Sequence, residues 1–120
     1  KVFFFFFNVI KKIAAEGPCV IVGRCADYVL KDLDNVVKTF IYASPETRIK
    51  NLVEKLNVTE KQARSMMNKA DKTRTAYYNY FTEKEWGKPD SYDLMIDTTQ
   101  ISPEAVADII IAYSKGRSTK

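Results

Sequence analysis

The chain contains no histidine. That excludes imidazole general-base catalysis and the Ser-His and Cys-His nucleophilic schemes, and it removes the commonest zinc ligand. Cysteine occurs only at positions 19 and 25, too few for a disulfide framework. Cys19 lies in an apolar run, where a buried, reduced thiol is the usual occupant. A reducing, cytoplasmic compartment is therefore expected. Glycine occurs only at positions 17, 23, 87 and 116, so no Gly-x-x-x-x-Gly-Lys-Ser/Thr loop or other glycine-rich phosphate cradle can be built from these residues. No apolar run approaches the roughly 18 residues a bilayer span needs, and no membrane partner is expected. The sextet from Val2 to Phe7 is too short for a secretory leader and lacks a clear cleavage site. Its five adjacent phenylalanines would coat every side of a helix, which predicts a poor amphipathic one.

What is present suits an anionic ligand. Lysine and arginine outnumber acids by 19 to 15, a formal charge of +4. That excess is too mild to demand nucleic acid, whose binding needs a basic face; Tyr77, Tyr78 and Tyr80 would be the stacking residues of such a protein. At 120 residues the chain is about one domain long and can bury a core. Its first residue, Lys1, suggests a fragment or a processed chain.

Hydrophobic periodicity and punctuation give the elements. Asn8 to Glu16 reads as a helix, stopped by Gly17-Pro18. Cys19 to Val22 is a short β-branched run of the kind that forms a buried parallel strand. Ala26 to Leu30 fits a short helix, and Val36 to Tyr42 a second strand. Ser44-Pro45-Glu46 is an N-cap, a first-position proline and an acidic first turn, opening a helix to about Leu56. Thr59-x-x-Gln62 is a capping box, opening a long helix to Tyr80 or beyond. Leu94 to Ile96 is the third strand, closing in Asp97-Thr98-Thr99. A second Ser-Pro-Glu, at 102 to 104, leads the last helix to about Tyr113. Strands alternating with helices imply an α/β protein, a parallel sheet with helical crossovers. The expected organisation is one partial domain over 1–120, with core elements in 8–56, a lid-like helix and loop in 57–90, and the last strand and helix in 91–114.

Ligands gather at the carboxyl ends of strands in such sheets, which directs attention to three places. Arg24 follows Val-Ile-Val-Gly; its planar fork matches phosphate oxygens, and a structural pairing with Asp27 or Asp97 is the competing reading. Asp27 would then orient Arg24 or cap the short helix. Asp71 and Arg74 are three apart on one helical face, compatible with a solvated ion pair or a ligand-facing one, and Lys69 lies just before them. Tyr77 to Phe81 and Trp86 could stack a base, close a flap or pack between helices. Asp97-Thr98-Thr99 either binds backbone in a turn or lines a nucleotide site.

In these segments the chain resembles the C-terminal two-thirds of the cytidylate kinase-like family, a branch of the P-loop nucleoside monophosphate kinases. The matching stretches are Val-Ile-Val-Gly-Arg-Cys-Ala-Asp (20 to 27), Phe-Ile-Tyr-Ala-Ser-Pro-Glu-Thr-Arg (40 to 48), Asp-Lys-Thr-Arg-Thr-Ala-Tyr-Tyr (71 to 78) and Asp-Thr-Thr-Gln-Ile-Ser-Pro-Glu-Ala-Val (97 to 106). The resemblance covers roughly residues 8 to 113. It implies a three-layer α/β/α kinase fold whose phosphate-loop strand is absent from this chain, leaving a gap at the centre of the sheet. It also implies ATP-dependent phosphoryl transfer to a nucleoside monophosphate, cytidylate first, with ATP and Mg2+ held mainly outside these residues and the fragment inactive alone. The catalytic residues it implies are Arg24, Asp71 and Arg74. The substrate-binding residues are Arg24, Arg48, Lys69, Asp71 and Arg74, with no metal ligand among them. A non-catalytic nucleotide-binding module derived from the same fold is the alternative. True cytidylate kinases carry Asp-Gly-Arg-Asp where this chain has Val22-Gly23-Arg24-Cys25. An arginine pair is replaced by Asn51-Leu52, and a lid arginine by Met67, departures that suit the kinase-like branch.

Overall fold

The computed structural model describes residues 2–23 and 25–117, with side chains from residue 6 onward. The chain divides into two compact units, with the boundary between Val36 and Val37.

In the first unit, helix α1 spans Val2–Glu16 and helix α2 spans Ala26–Val29. α1 takes in the phenylalanine run, contrary to the sequence expectation: helical backbone continues through residues that lack polar periodicity. Ile10, Cys25, Ala26, Val29 and Leu30 are the buried residues of this unit. Two expectations fail here together. Residues 18–22 form no strand, and Cys19, Val20 and Val22 are exposed, the valines at 92% and 87%. A β-branched run becomes a strand only against a neighbour that accepts its ladder, and the remaining described residues of this unit form helices and turns. The buried thiol is Cys25 instead. It N-caps α2 in the left-handed region at φ 57°, and burial, with Asp27 nearby, pushes it up to about 11. Because Cys25 holds the cap position, Asp27 lies inside the first turn and does not cap the helix.

The second unit contains the sheet. Strand β1 (Thr39–Tyr42) pairs in parallel with β2 (Leu94–Asp97), from Thr39 opposite Leu94 to Tyr42 opposite Asp97. At its start, Asp93 accepts from the Lys38 N–H at 2.8 Å, and the Asp93 N–H donates to the Lys38 carbonyl at 2.8 Å. Parallel strands need a long crossover. Here it consists of helices α3 (Pro45–Leu56) and α4 (Glu60–Thr82), with a 3-10 turn at Pro89–Ser91. Helix α5 (Pro103–Gly116) follows β2. The Ser44, Thr59 and Ser102 caps all form as the sequence predicts, and the Thr59-Gln62 capping box closes in both directions. Asn57 ends α3 in the left-handed region, φ 52°, a conformation asparagine tolerates better than most residues. No described helix is long and apolar enough to cross a membrane.

α3 and α4 close on a core of Ile49, Ala63 and Met67, flanked by Leu52, Val53 and Val58. Further along α4 the packing becomes aromatic. Tyr78 stacks on Tyr92, and Phe40 of β1 meets Trp86 edge-on, ring centres 5.1 Å apart, and Tyr92 at 5.0 Å. Gly87 lies against the Phe40 ring with φ +82°, and a Cβ there would sit 3.6 Å from Phe40 Cζ. The space is adequate but the backbone is not, because a side chain in the left-handed region costs roughly 1 kcal/mol or more. Gly87→Ala is expected to destabilise the protein by about that amount, a drop of about 0.3–1 M in the urea midpoint. An unchanged midpoint would mean that the turn relaxes freely.

Candidate functional site

The geometry of the site follows from the order of residues along α4. Ala63, Met67, Tyr78 and Thr82 are its buried positions. At about 100° per residue they fall within one arc of about 100°, and Asp71 and Arg74 fall inside the same arc. A carboxylate on a core-facing stripe needs a partner. Arg48, in the first turns of α3, supplies it. Its two terminal nitrogens donate to the two Asp71 oxygens at 2.6 and 2.8 Å, the bidentate fork that guanidinium and carboxylate favour. Arg74 adds one bond to Asp71 Oδ1 at 3.2 Å. The Arg48 and Asp71 side chains are 32% and 29% exposed, so the pair sits at the edge of solvent. These bonds hold the Asp71 carboxyl below its ordinary range, Arg48 being the larger cause and Arg74 the smaller. The same bonds raise Arg48 further.

Arg48, Asp71 and Arg74 line one open cavity of about 430 Å³ together with Phe40 to Tyr42 of β1, Ala43 just beyond it, Trp86 and Thr98. Its polar part carries two guanidinium groups against one carboxylate. Its apolar part is the last three residues of β1 and the Trp86 ring. Thr98 belongs to the turn after β2, where its N–H and hydroxyl both reach the Tyr42 carbonyl, at 2.8 and 2.9 Å. In the same turn the Thr99 N–H and hydroxyl both donate to Asp97 Oδ1, at 3.0 and 2.6 Å, and they hold the Asp97 carboxyl below its ordinary range. Asp97-Thr98-Thr99 is thus a backbone-binding turn, and Thr98 is also one of the residues that line the cavity.

The other sequence candidates separate. Arg24 lies outside the described residues. Lys69 is exposed and is turned about 160° from Asp71 around α4; it does not line the cavity. Of the aromatic group, Tyr78 is buried core and Tyr77 packs on Phe81, while Tyr80 is 78% exposed. Only Trp86 reaches the cavity. Phe40 to Ala43 were not singled out as cavity walls from sequence, although their position at a strand end is the signal that marks them.

Fold and cavity define an α/β protein with paired arginines at the carboxyl ends of two parallel strands. Within that class the chain belongs to the cytidylate kinase-like family, whose model matches residues 1–100. The match begins ahead of the expected residue 8 and ends at residue 100, short of the expected 113. Among solved structures the chain is similar to the crystal structure of an uncharacterized protein from Eubacterium ventriosum, 38% identical with a TM-score of 0.88. The likeness covers 92% of this chain and 63% of that one, so this chain spans less than two thirds of its relative's length. No curated protein matches the chain.

Proposed function

We propose that the full-length protein is a cytoplasmic nucleotide kinase of the three-layer P-loop kind, transferring the γ-phosphoryl group of ATP to a nucleoside monophosphate, cytidylate foremost. The observation that carries this reading is the convergence of Arg48 and Arg74, from two helices, on a cavity at the strand ends. Phosphoryl transfer asks little covalent chemistry of a protein; it asks for positioning and for cations around the oxygens that carry charge. Arg48 and Arg74 supply two such cations, Asp71 sets their spacing, and Arg24 joins them on the monophosphate side by the family resemblance. Trp86 and the end of β1 offer an apolar wall to the rest of the ligand.

The donor set fits phosphate and does not fit magnesium. Both Asp71 oxygens are taken by guanidinium groups, and no group of three or more metal-binding side chains occurs among the described residues. By the family resemblance, ATP and magnesium would be held mainly outside these residues.

The test is ATP consumption by the full-length protein with magnesium, across a panel of ribo- and deoxyribonucleoside monophosphates. Turnover with one acceptor is expected, cytidylate before the others. A folded protein that binds nucleotide and turns over none of the panel would overturn the kinase reading in favour of a non-catalytic nucleotide-binding module.

A further inference from the structure

A chain of hydrogen bonds runs from the end of β2 to Arg48. Asp97 Oδ1 accepts the Thr99 hydroxyl proton at 2.6 Å. A carboxylate can only accept, so the single hydroxyl proton is committed there and a Thr99 lone pair is left for a donor. The donor is the Ser44 N–H, at 2.8 Å. Ser44 is the N-cap of α3; its hydroxyl oxygen accepts from the Thr47 N–H at 3.2 Å, and its carbonyl accepts the Arg48 N–H at 3.0 Å. The backbone of Arg48 is thereby tied through two residues to a turn on the other strand, while its side chain is fixed by Asp71. Thr99 itself does not line the cavity.

We infer that Thr99, oriented by Asp97, is a positioning residue for nucleotide binding that acts through Arg48. This rests on the nucleotide-binding reading above and adds to it a residue outside the cavity. A guanidinium that must meet phosphate oxygens loses affinity when its helix start can shift by a fraction of an ångström. One backbone tether of this kind corresponds to about threefold to tenfold in affinity.

The experiment is a double-mutant cycle on the full-length protein, with ATP and cytidine monophosphate affinities measured by calorimetry for wild type, Thr99→Val, Arg48→Ala and the double variant. Valine keeps the shape of threonine and removes the hydroxyl. Thr99→Val is expected to weaken nucleotide binding about threefold to tenfold in the native background, and by less than about 1.5-fold once Arg48 is gone. Thr99→Ser, which restores the hydroxyl, should return affinity to within about twofold of wild type. Equal losses in both backgrounds would overturn the inference and leave Thr99 a general structural residue or a direct ligand contact. An unchanged affinity for Thr99→Val would overturn it as well. Wild-type protein that binds neither nucleotide would sink the functional reading itself, and this inference with it.

Discussion

On the proposed kinase reading, Arg74→Ala in the full-length protein is expected to lower kcat for phosphoryl transfer by roughly a thousandfold, the lower end of what an arginine supplies to a phosphoryl-transfer transition state. The two guanidinium groups of the site are held differently. Arg48 is locked by two short bonds to Asp71, whereas Arg74 makes one bond of 3.2 Å and its side chain is 57% exposed. Exchanging one long, solvent-facing bond for phosphate oxygens is much easier than breaking a bidentate fork. On the kinase reading, Arg74 is therefore the cation that would follow charge as it develops, and Arg48 the one that would set the frame. Only interactions stronger in the transition state than in the ground state raise kcat, so the loss should fall on kcat more than on KM. Arg74→Lys should recover less than about a tenth of the wild-type rate, because an ammonium cannot span two oxygens as the planar fork does. Steady-state kinetics with ATP and the preferred acceptor decides the matter. A variant within threefold of wild type would return Asp71 and Arg74 to the solvated ion pair that their spacing alone allows.

How far the site could be read from sequence depends on what kind of information each residue needs. Ser44, Thr59 and Ser102 start their helices as expected, because capping is settled within four residues of chain. The pairing of Arg48 with Asp71, 23 positions apart, is not local. Its trace in the sequence is indirect: a carboxylate set into the stripe Ala63, Met67, Tyr78 and Thr82. Such an interruption demands a cation without saying which one. The resemblance to a family selected Arg48, and the fold supplies the distance. Cys19 to Val22 fails for the opposite reason. Its composition satisfies every local rule for a strand, but a ladder is a property of two segments, and exposed Val20 and Val22 have no partner strand among the described residues of their unit. Lys69 shows a third limit. The resemblance groups it with Asp71 and Arg74 on the substrate, whereas helical geometry sets it about 160° from Asp71 around α4, away from the cavity. The turn at Asp97-Thr98-Thr99 was legible as a motif, while its grip on Ser44 required knowing that β2 pairs with β1.

The Arg48-Asp71 fork also makes the stability of this unit depend on pH in a direction that can be stated in advance. The folded state holds Asp71 below the ordinary carboxylate value of about 3.9. A depressed acid stabilises the fold wherever it is ionised in both states, above the unfolded value, and loses that contribution as pH falls through the folded one. The stabilisation is thus complete at pH 7 and disappears progressively below about pH 4. With both partners roughly one-third exposed, solvent screening reduces the pair to about 1 kcal/mol, or about 3–6 °C in Tm for a chain of this size. Asp71→Asn removes the charge while keeping the shape. The variant should melt about 3–6 °C below wild type at pH 7, and the gap should narrow progressively as pH falls below about 4 and wild-type Asp71 becomes protonated. Asp71→Ala should fall further at pH 7, because it strips Arg48 of any acceptor at a half-buried position. Thermal melts of this chain at half-unit steps from pH 7 to pH 3 test this directly. A gap between wild type and Asp71→Asn that stays constant to pH 3 would show that the contribution comes from packing and hydrogen-bond geometry. In that case the ionised fork does not hold α3 against α4, and on the proposed reading Arg48 could leave Asp71 for a phosphate at little cost to the fold.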